Sequence, residues 1–297
     1  MRLAVLVLLA LIVFLQLRAS GFGRHLSDDR EVEVVVVPSL PGQVGIPAAV
    51  TAKGPKTKGY LNGFRPVNES RVAIITFTTE QKSYLHMSLR NHQRYANKHG
   101  YDFIVDFDQH AERGLMWHKF EMVERLIDGG QHDWIWWMDF DTLITNMTMK
   151  LTDVIADAIK ETPDPDAIDW IFTPDCWELN AGSFITRASP RAKPFINATI
   201  AYHEANATYE QQLSEQDCIR DVIRGGVFAN HVKFVSQATI NAFPKEIKCW
   251  DQEKRPWRKG MFAIHFAGAW AHLEGEDDAT GLLMRQYIDD VVGDDDP

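Results

Sequence analysis

The stretch WIWWMDFD at residues 134–141 joins a strand-length apolar run to two carboxylates that lie one residue apart. Side chains at positions i and i+2 of an extended segment point to the same side, so Asp139 and Asp141 can share one ion while Phe140 turns back towards the core. Ligands of open α/β sheets bind beyond the carboxyl ends of the strands. Hard cations that carry phosphates are held by one or two carboxylates and phosphate oxygens. The stretch therefore predicts a metal–diphosphate site, an arrangement that suits a nucleotide sugar.

An Asp-x-Asp triplet does not identify a metal site by itself, because this chain contains two others. Asp106-Phe107-Asp108 also follows a strand-like run, and Asp164-Pro165-Asp166 lies in a predicted loop. Most such triplets are solvated turns, since short motifs carry many false positives. The surrounding sequence has to decide which triplet, if any, binds a metal.

Strand and helix signals alternate from Arg71 onward. Apolar and β-branched runs predict strands, and helical periodicity ends at glycines that suit the position after a helix. The predicted strands cover residues 72–77, 103–107, 134–138, 170–173 and 183–186. The predicted helices cover residues 80–99, 117–128 and 151–160, and another follows Ser189-Pro190. This alternation predicts an α/β fold, with a mostly parallel sheet and helices on both faces.

Lys119 and His265 are single residues that could bind a ligand or a metal together with the aspartate pair. Lys119 lies in the first turn of a predicted helix, on the same face as its apolar positions. Its ammonium either faces an anion near the helix N-terminus or extends past the core to solvent. His265 follows the apolar run 261–264 at a strand end. It is either a satisfied core histidine or the third ligand of a Mn²⁺ ion beside two carboxylates.

Two polar segments lie further along the chain. Asn180 and Gly182 stand where a side-chain amide and bare backbone could approach a sugar, although Gly182 also fits an ordinary turn. The segment 214–217, SEQD, has the pattern of a helix capping box. That structural role leaves Glu215 and Gln216 at the helix start free to face a donor sugar.

Five motifs in this order resemble glycosyltransferase family 34, the Golgi galactosyl-, mannosyl- and xylosyltransferases of fungi and plants. They are WHKF at 117–120, DWIWWMDFD at 133–141, LNAGSF at 179–184, SEQD at 214–217 and HFAG at 265–268. The resemblance extends from about Arg71 to about Trp270, which is most of the chain.

The resemblance implies a GT-A type glycosyltransferase fold and retaining, metal-dependent transfer of a hexose. It implies that Asp139, Asp141 and His265 hold Mn²⁺. The residues that it implies near the anomeric carbon, and hence in catalysis, are Gln216, Glu215 and Asp217. The residues expected to bind substrate, with the lysine assisting the diphosphate, are Lys119, Asn180, Gly182, Trp117 and Gly268.

The implied partners are a nucleotide-sugar donor, UDP-galactose or GDP-mannose, a glycan acceptor and other Golgi transferases. The sequence does not decide the donor, the acceptor or the linkage. A net charge of -10 argues against nucleic acid as a partner. Two other functions remain open: a carbohydrate-binding protein of the same fold without turnover, and a metal-dependent phosphohydrolase, since paired aspartates also serve there.

The N-terminus carries an address for the secretory pathway. Residues 3–15 are uninterruptedly apolar, with Arg2 before them and Arg18 after them. This run is shorter than the ~20 residues that span an average bilayer, but thinner membranes accept shorter spans. A cleaved signal peptide is the alternative, whereas the family resemblance favours a type II Golgi anchor with a lumenal catalytic domain. The chain is thus divided into a membrane anchor or signal segment at 1–20, a flexible stem at 21–70 and a catalytic domain at 71–297.

The N-glycosylation sequons and the cysteines agree with entry into the secretory pathway. The sequons begin at Asn68, Asn146, Asn197 and Asn206. The cysteines at 176, 218 and 249 allow one disulfide and one free thiol, and their spacing assigns no pair. The family commonly has a cysteine where this chain has Ala269, which leaves the partner of Cys249 open.

Overall fold

The computed structural model describes residues 63–107, 114–208 and 213–293. The predicted membrane segment, most of the predicted stem and Asp108 lie outside these residues. Among the helices of the described part, none is both long and apolar enough to cross a membrane.

The strands of the described residues form a six-stranded sheet and a separate two-stranded ladder. They are β1 (Val72–Phe77), β2 (Asp102–Asp106), β3 (Trp134–Met138), β4 (Thr142–Ile144), β5 (Trp170–Thr173), β6 (Asn180–Arg187), β7 (Val232–Phe234) and β8 (Ala263–His265). The large sheet has the order β2-β1-β3-β6-β5-β7, and β4 pairs with β8.

The sheet is mostly parallel, as predicted, with β6 as the reversed strand. β6 is antiparallel to both β3 and β5, whereas the other pairings in this sheet are parallel. The reversal follows from chain length. Only residues 174–179 separate β5 from β6, and a parallel crossover needs a dozen or more residues.

The helices are α1 (Leu85–His99), α2 (His118–Gly129), α3 (Leu151–Ile159), α4 (Lys193–Asn206), α5 (Glu215–Arg224), α6 (Gln237–Ile240) and α7 (Ala279–Tyr287). Short 3₁₀ helices lie at Val67–Glu69, Leu115–Trp117, Pro165–Ala167, Pro190–Ala192, Ala269–Ala271 and Ile288–Asp290. Gly100 and Gly130 end α1 and α2 in the left-handed conformation, which confirms the predicted helix stops. The capping box predicted at 214–217 is also present, at the start of α5.

The structure corrects several predicted boundaries. α1 begins at Leu85 and not at Glu80, because the Thr78 hydroxyl donates to the Glu80 carbonyl and holds that segment in a turn. β6 begins at Asn180, three residues before the predicted strand. The ladders β4–β8 and β5–β7 were not predicted as pairs, because each contains a strand of only three residues.

The core lies on both faces of the large sheet, as predicted for a sheet covered by helices. All five residues of β3 are buried. Trp134, Trp136 and Met138 face the cluster formed with α1 and α3, whereas Ile135 and Trp137 face the cluster formed with α2, α4 and α5. This period of two is that of a strand buried between two helical layers. Because every side chain of β3 is buried, the polar side chains that follow Met138 are the first after this strand that can face a ligand.

The cysteines form the disulfide Cys176–Cys249, with Cys218 as a free and fully buried thiol. The disulfide joins the β5–β6 loop to the segment between α6 and β8. Burial raises the pKa of the Cys218 thiol to about 12. Because the thiolate is the reactive form, Cys218 is a packing residue.

Candidate functional site

The structure brings Asp139, Asp141 and His265 together. Asp139 follows the last residue of β3, and β4 starts directly after Asp141. Antiparallel pairing of β4 with β8 sets His265 opposite Thr142. One ligand atom from each of the three residues lies within 4.8 Å of the others. β4, which directly follows Asp141, thus positions His265, although the two lie more than a hundred residues apart in sequence.

This group fits a divalent metal ion by its chemistry and by its shape. Two carboxylates and an imidazole are a suitable ligand set for Mn²⁺ and similar ions. A Cβ at Gly182 would lie 2.2 Å from His265 Cε1 and 2.9 Å from Asp139 Oδ2. Only glycine therefore allows β6 to pass so close to the group. The three residues could hold a metal ion, with Gly182 keeping the space open.

Charge complementarity already exists among the ligands. The Nε2 atom of His265 lies 3.2 Å from Asp141 Oδ1. Burial raises the pKa of Asp141, but the facing His265 outweighs this and holds the pKa of the carboxyl below its ordinary value. Burial likewise lowers the pKa of His265, and the Asp141 charge raises it to a net increase. The pair thus favours a carboxylate at Asp141, the form that binds a cation.

Asn241 fixes which nitrogen of His265 faces the group. The Asn241 amide nitrogen donates to Thr173 Oγ1 and to Asn180 Oδ1, each at 2.9 Å. Its Oδ1 atom is therefore an acceptor, and His265 Nδ1 donates to it at 2.8 Å. A neutral imidazole with its proton on Nδ1 carries its lone pair on Nε2. The neutral imidazole thus presents a metal-ligating nitrogen next to Asp141.

Asn180 is held by bonds on both sides of its amide. Its Oδ1 atom accepts from Gly182 N at 2.9 Å, in addition to the bond from Asn241. Its Nδ2 atom donates to Asp175 Oδ2 at 3.2 Å. The predicted sugar-binding residue is thus a connecting residue between the β5–β6 loop and His265. Asn180 is 7% exposed, and its amide groups are engaged within the protein.

Lys119 is fully buried beside the metal group. Its ammonium donates to Glu215 Oε1 at 2.8 Å and to the Ala181 carbonyl at 3.2 Å, and lies 3.6 Å from Asp139 Oδ1. Burial lowers the pKa of Lys119, but the Asp139 and Glu215 carboxylates raise it to a net increase. The lysine is therefore charged and orients Asp139. Glu215 is in turn occupied by this ion pair, which differs from the free carboxylate that the helix-start position predicts.

Asp139 is oriented by two further neighbours. The indole nitrogen of Trp137 donates to Asp139 Oδ1 at 2.8 Å. The Thr142 hydroxyl donates to the Asp139 carbonyl at 2.7 Å and also contacts His92 Nε2 at 3.1 Å. Because Oδ1 is engaged by the indole and the ammonium, Oδ2 is the oxygen that lies beside Gly182. The ligand is thereby preorganised on the rigid end of a buried strand.

Gln216 lies in the first turn of α5, against the start of β6. Its Oε1 atom accepts from Ala181 N at 2.9 Å, one residue before Gly182. Asp217, in contrast, closes the capping box: it accepts from Ser214 and pairs with Arg220 at 2.8 Å. The helix start therefore binds Gln216 to the first residues of β6, the strand that passes the metal group, at Ala181, and directs Asp217 into the helix cap.

Trp117 and Gly268 have local structural roles. Trp117 is buried and packs against Phe120 and His203 between α2 and α4. Gly268 has a φ of 62° at the start of a 3₁₀ helix, a conformation that favours glycine. Within the described residues, neither takes part in the hydrogen bonds that join the other predicted site residues.

Sequence reasoning missed Asn241 and the role of the Trp137 indole. Asn241 lies in an irregular segment directly after α6, where no periodicity marks it. Its burial at 0% exposure identifies it only once the fold is known. Trp137 belongs to the quoted run, but a tryptophan in a buried strand is expected for packing alone. The polarity of its indole nitrogen was the available signal, since buried indoles usually find an acceptor.

The fold is similar to that of a solved protein described as a glycosyltransferase involved in the glycosylation of the major capsid of PBCV-1. The two superpose with a TM-score of 0.55 at 14% identity, over 73% of this chain and 99% of the other. At this identity the likeness concerns the fold. It agrees with the predicted GT-A type architecture.

Three of the curated relatives come from two yeasts. An alpha-1,2-galactosyltransferase described as uncharacterized, from Schizosaccharomyces pombe, is 27% identical over 62% of this chain and 56% of its own length. Another alpha-1,2-galactosyltransferase of the same yeast is 25% identical over 68% of this chain and 62% of its own length. A probable alpha-1,6-mannosyltransferase of Saccharomyces cerevisiae is 23% identical over 53% and 47%. The matched region spans less than two thirds of each of these relatives.

A family model matches residues 68–275, which include the five motifs and the whole hydrogen-bonded group around Asp139. The model describes the galactosyl transferase GMA12/MNN10 family, known as glycosyltransferase family 34. The match covers well over half of the chain. This chain therefore belongs to the galactosyl transferase GMA12/MNN10 family.

Proposed function

We propose that this protein is a Golgi glycosyltransferase that moves a hexose from a nucleoside diphosphate sugar to a glycan acceptor with retention of configuration. The observation that carries the proposal is the Asp139, Asp141 and His265 group beyond the carboxyl end of β3, in a member of this family. Relatives named as galactosyl- and mannosyltransferases support transfer of an α-galactosyl or an α-mannosyl unit.

The metal in this proposal is Mn²⁺, held by Asp139, Asp141 and His265. When bound, it supplies Lewis-acid neutralisation of the departing diphosphate. Three carboxylates, Asp139, Asp141 and Glu215, share the Lys119 ammonium and the His265 imidazole. The excess of negative charge suits a divalent cation and does not suit a bare diphosphate. This balance supports a role for Lys119 in holding Asp139 and Glu215 in place.

Retention is proposed to proceed without a lasting covalent intermediate. The Glu215 carboxylate is bound by Lys119, so it is a poor nucleophile in this arrangement. The Gln216 carbonyl oxygen, held by Ala181 N, is proposed to face the anomeric carbon. A fixed dipole at that point stabilises positive charge as the glycosidic bond breaks. The acceptor hydroxyl then attacks from the face that the diphosphate leaves, and its proton passes to the departing diphosphate.

A donor screen tests the proposal. The purified protein is incubated with Mn²⁺, a panel of neutral glycans and either UDP-galactose or GDP-mannose, and the released nucleoside diphosphate and glycosylated product are measured. We expect release and transfer with one of the two donors, and loss of both after chelation. Binding of donor without product would instead indicate a carbohydrate-binding protein. Hydrolysis of simple phosphoesters without any acceptor would indicate a phosphohydrolase.

The product decides the stereochemistry. Proton NMR of the product formed from an α-linked donor should show an α-linkage. A β-linked product would exclude the retaining mechanism and with it the proposed role of Gln216. This measurement needs no variant, so it separates the mechanism from questions of folding.

Golgi membrane placement is proposed from the apolar run at residues 3–15 and from the sequons. Asn68, Asn197 and Asn206 are exposed in the structure. Asn146 differs, because the residue is partly buried and its amide nitrogen donates at 2.9 Å to the carbonyl of Gly260, far along the chain, whereas the amide nitrogen of Asn206 donates to Tyr202 within its own helix. Endoglycosidase treatment of the protein from secretory membranes should shift its mobility, with Asn146 unmodified by mass spectrometry. Alkaline carbonate should leave the protein in the membrane pellet, whereas a soluble form starting near Gly21 would show cleavage.

A further inference from the structure

The tautomer of His265 depends on the orientation of a side-chain amide. The acceptor end of Asn241 faces His265 Nδ1 at 2.8 Å. Its donor end faces Thr173 Oγ1 and Asn180 Oδ1, each at 2.9 Å. The two ends of an amide have nearly the same shape, so the partners decide which way it points. The Thr173 hydroxyl can donate or accept and suits both orientations. Asn180 therefore decides the orientation of Asn241.

Asn180 is oriented by partners that cannot change roles. Gly182 N donates to its Oδ1 at 2.9 Å, and its Nδ2 donates to Asp175 Oδ2 at 3.2 Å. A backbone N–H can only donate, and a carboxylate can only accept. A reversed Asn180 would place two donors together at Gly182 and two acceptors together at Asp175. The orientation of both amides thus originates at these two residues, and Asp175 is the one whose side chain supplies it.

Asp175 is fixed in a turn that contains a disulfide cysteine. Its Oδ1 accepts from Trp177 N at 2.6 Å, so the side chain closes a turn around Cys176. Burial raises the pKa of Asp175, and the bonds donated by Trp177 and Asn180 work against that rise. Cys176 is bonded to Cys249, 73 residues further along the chain. The position of the Asp175 turn therefore depends on what holds Cys249.

Cys249 is held against the short helix that leads to Asn241. Gln237 Nε2 donates to the Cys249 carbonyl at 3.3 Å. Gln237 begins α6, is 1% exposed, and accepts at its own carbonyl from Asn241 N at 3.0 Å. The side chain of Asn241 reaches Asp175 through Asn180. The disulfide thus closes a ring of bonds that contains both amides.

We propose that Asp175 is a positioning residue for His265, and that the Cys176–Cys249 disulfide keeps Asp175 in the place from which it acts. It acts through Asn180 and Asn241, which keep the imidazole proton on Nδ1 and the lone pair on Nε2. The inference rests on the metal that the proposed function assigns to His265, whereas the tautomer of the histidine can be measured without metal.

Asp141 supplies the opposing influence on the histidine. Its Oδ1 lies 3.2 Å from His265 Nε2, so in the metal-free protein the carboxylate favours a proton on that nitrogen. In that tautomer, Nδ1 would direct a lone pair at Asn241 Oδ1. The amide chain therefore has to outweigh Asp141. Loss of Asp175 should shift the neutral ring towards the Nε2–H tautomer, in which the metal-ligating lone pair is lost.

Asp175→Asn tests the origin of the amide chain while keeping the size of the side chain. The one remaining oxygen stays in the shorter bond with Trp177 N, so the new nitrogen faces Asn180 Nδ2 and two donors meet. Asp106→Asn is the matched control. Asp106 is 8% exposed against 7% for Asp175, and it accepts from His118, outside the metal group.

A double variant, Cys176→Ser with Cys249→Ser, removes the covalent closure and keeps both amides and Asp175. Cys218→Ala is its control, because Cys218 is buried and unpaired. The expected effect is smaller than that of Asp175→Asn, because the Ala242 carbonyl accepts from His265 N at 2.8 Å and joins the segment after α6 to β8 independently of the disulfide.

Two measurements are made on each protein. The ¹⁵N shifts of His265 are recorded without metal, at a pH above the titration of the ring, and Mn²⁺ affinity is measured by calorimetry. We expect the proton on Nδ1 in the native protein and both controls, and a shift towards Nε2–H in Asp175→Asn and in the double cysteine variant. Mn²⁺ affinity should fall about tenfold in Asp175→Asn, the lower end of the cost of losing an outer partner of a metal ligand, and about threefold in the double variant.

The inference is overturned if native His265 carries its proton on Nε2, or if Asp175→Asn matches Asp106→Asn in tautomer or in Mn²⁺ affinity. Should Asp175→Asn not fold, the double cysteine variant decides by the same comparison with Cys218→Ala. Equal results in those two proteins would overturn the part assigned to the disulfide. If native protein binds no Mn²⁺, the metal part of the proposed function fails, and the tautomer alone decides whether Asp175 positions His265.

Discussion

Two aspartate segments end strands that flank β1, and the structure gives them opposite roles. Asp106 is the last residue of β2, and Asp139 directly follows β3. Asp106 accepts from His118 Nε2 at 2.9 Å and forms an ion pair with Arg125. Asp139 and Asp141 lie instead beside the imidazole of His265, and Asp139 shares the Lys119 ammonium with Glu215.

The difference lies in the cation that each group already contains. At β2 the guanidinium of Arg125 is supplied by α2, and both nitrogens of His118 are engaged, with Glu121 as the second partner at 3.1 Å. At β3 the carboxylates outnumber the built-in cation, and the histidine presents Nε2 to the group. The two triplets thus differ because α2, which follows the first one along the chain, supplies a guanidinium to Asp106, whereas a strand follows the second. A local Asp-x-Asp pattern does not contain this information.

The largest expected effect is on transfer activity when a metal ligand is removed. Asp141→Asn keeps the size of the side chain and removes its charge. We expect transfer with Mn²⁺ to fall about a thousandfold, since loss of several kcal/mol of charge stabilisation corresponds to this factor. Initial rates of nucleotide release across a Mn²⁺ series provide the measurement.

Asp106→Asn is the matched control for this prediction. It should lower the free energy of unfolding by about 1–3 kcal/mol, because a buried charged hydrogen bond is lost, while Mn²⁺ dependence is retained. If Asp106→Asn removes metal dependence and Asp141→Asn does not, the two segments have been assigned the wrong way round.

The second effect is stabilisation by the metal itself. An ion that binds the folded state at 100 times its Kd adds about 2.7 kcal/mol to the free energy of unfolding. Mn²⁺ should therefore raise the thermal midpoint of the native protein, and chelation should reverse the shift. Differential scanning calorimetry should show the same shift in Arg125→Met and none in Asp141→Asn. An unchanged shift in Asp141→Asn would mean that the ion binds elsewhere.

Most of the sheet could be predicted from the sequence because its strands are buried apolar runs. The predicted spans of β1, β3 and β5 agree with the structure residue for residue. Burial on both faces makes these runs continuous, which sets them apart from helices of the same composition. The direction of β6 was not predicted, although its short connection to β5 contained that information.

The metal group could be predicted in part, for a different reason. Asp139 and Asp141 follow from strand geometry, whereas the place of His265 came from the family resemblance and depends on β4–β8 pairing. Asn241 and the disulfide depend on contacts between residues far apart in sequence, which no local pattern records. The engagement of Glu215 by Lys119 is of the same kind. The sequence identified the three residues that could hold a metal ion, and the fold identified what orients them.

The third effect concerns the residue that orients His265. Asn241→Leu removes the acceptor of the Nδ1 proton while keeping the volume similar. We expect Mn²⁺ affinity to fall about 10–100-fold, the usual cost of losing an outer partner of a metal ligand. Calorimetric titration gives the affinity, and ¹⁵N chemical shifts of His265 report its tautomer.

Asn91→Leu distinguishes orientation from a general loss of stability. Asn91 is also buried, with its amide bonded to both backbone groups of Ile144, but it does not contact His265. It should lower the unfolding free energy and leave Mn²⁺ affinity unchanged. Equal losses of affinity in the two variants would reduce Asn241 to a packing residue.

The smallest of these effects is expected at Gln216. It tests whether electrostatic stabilisation extends from the metal group to the reacting carbon. Gln216→Ala removes a carbonyl dipole that Ala181 N holds in place at 2.9 Å. We expect kcat to fall about tenfold or more, since loss of a single electrostatic contact can cost this much or more, while the donor KM changes little because the contact acts mainly in the transition state. Asp217→Ala is the matched control one residue further along: it removes the capping-box carboxylate and should cost about 1 kcal/mol of stability without a comparable loss of kcat. Steady-state kinetics of both variants give the comparison. If Gln216→Ala and Asp217→Ala lower kcat to the same extent, loss of the helix cap alone explains the result. Gln216 would then have no electrostatic role in transfer.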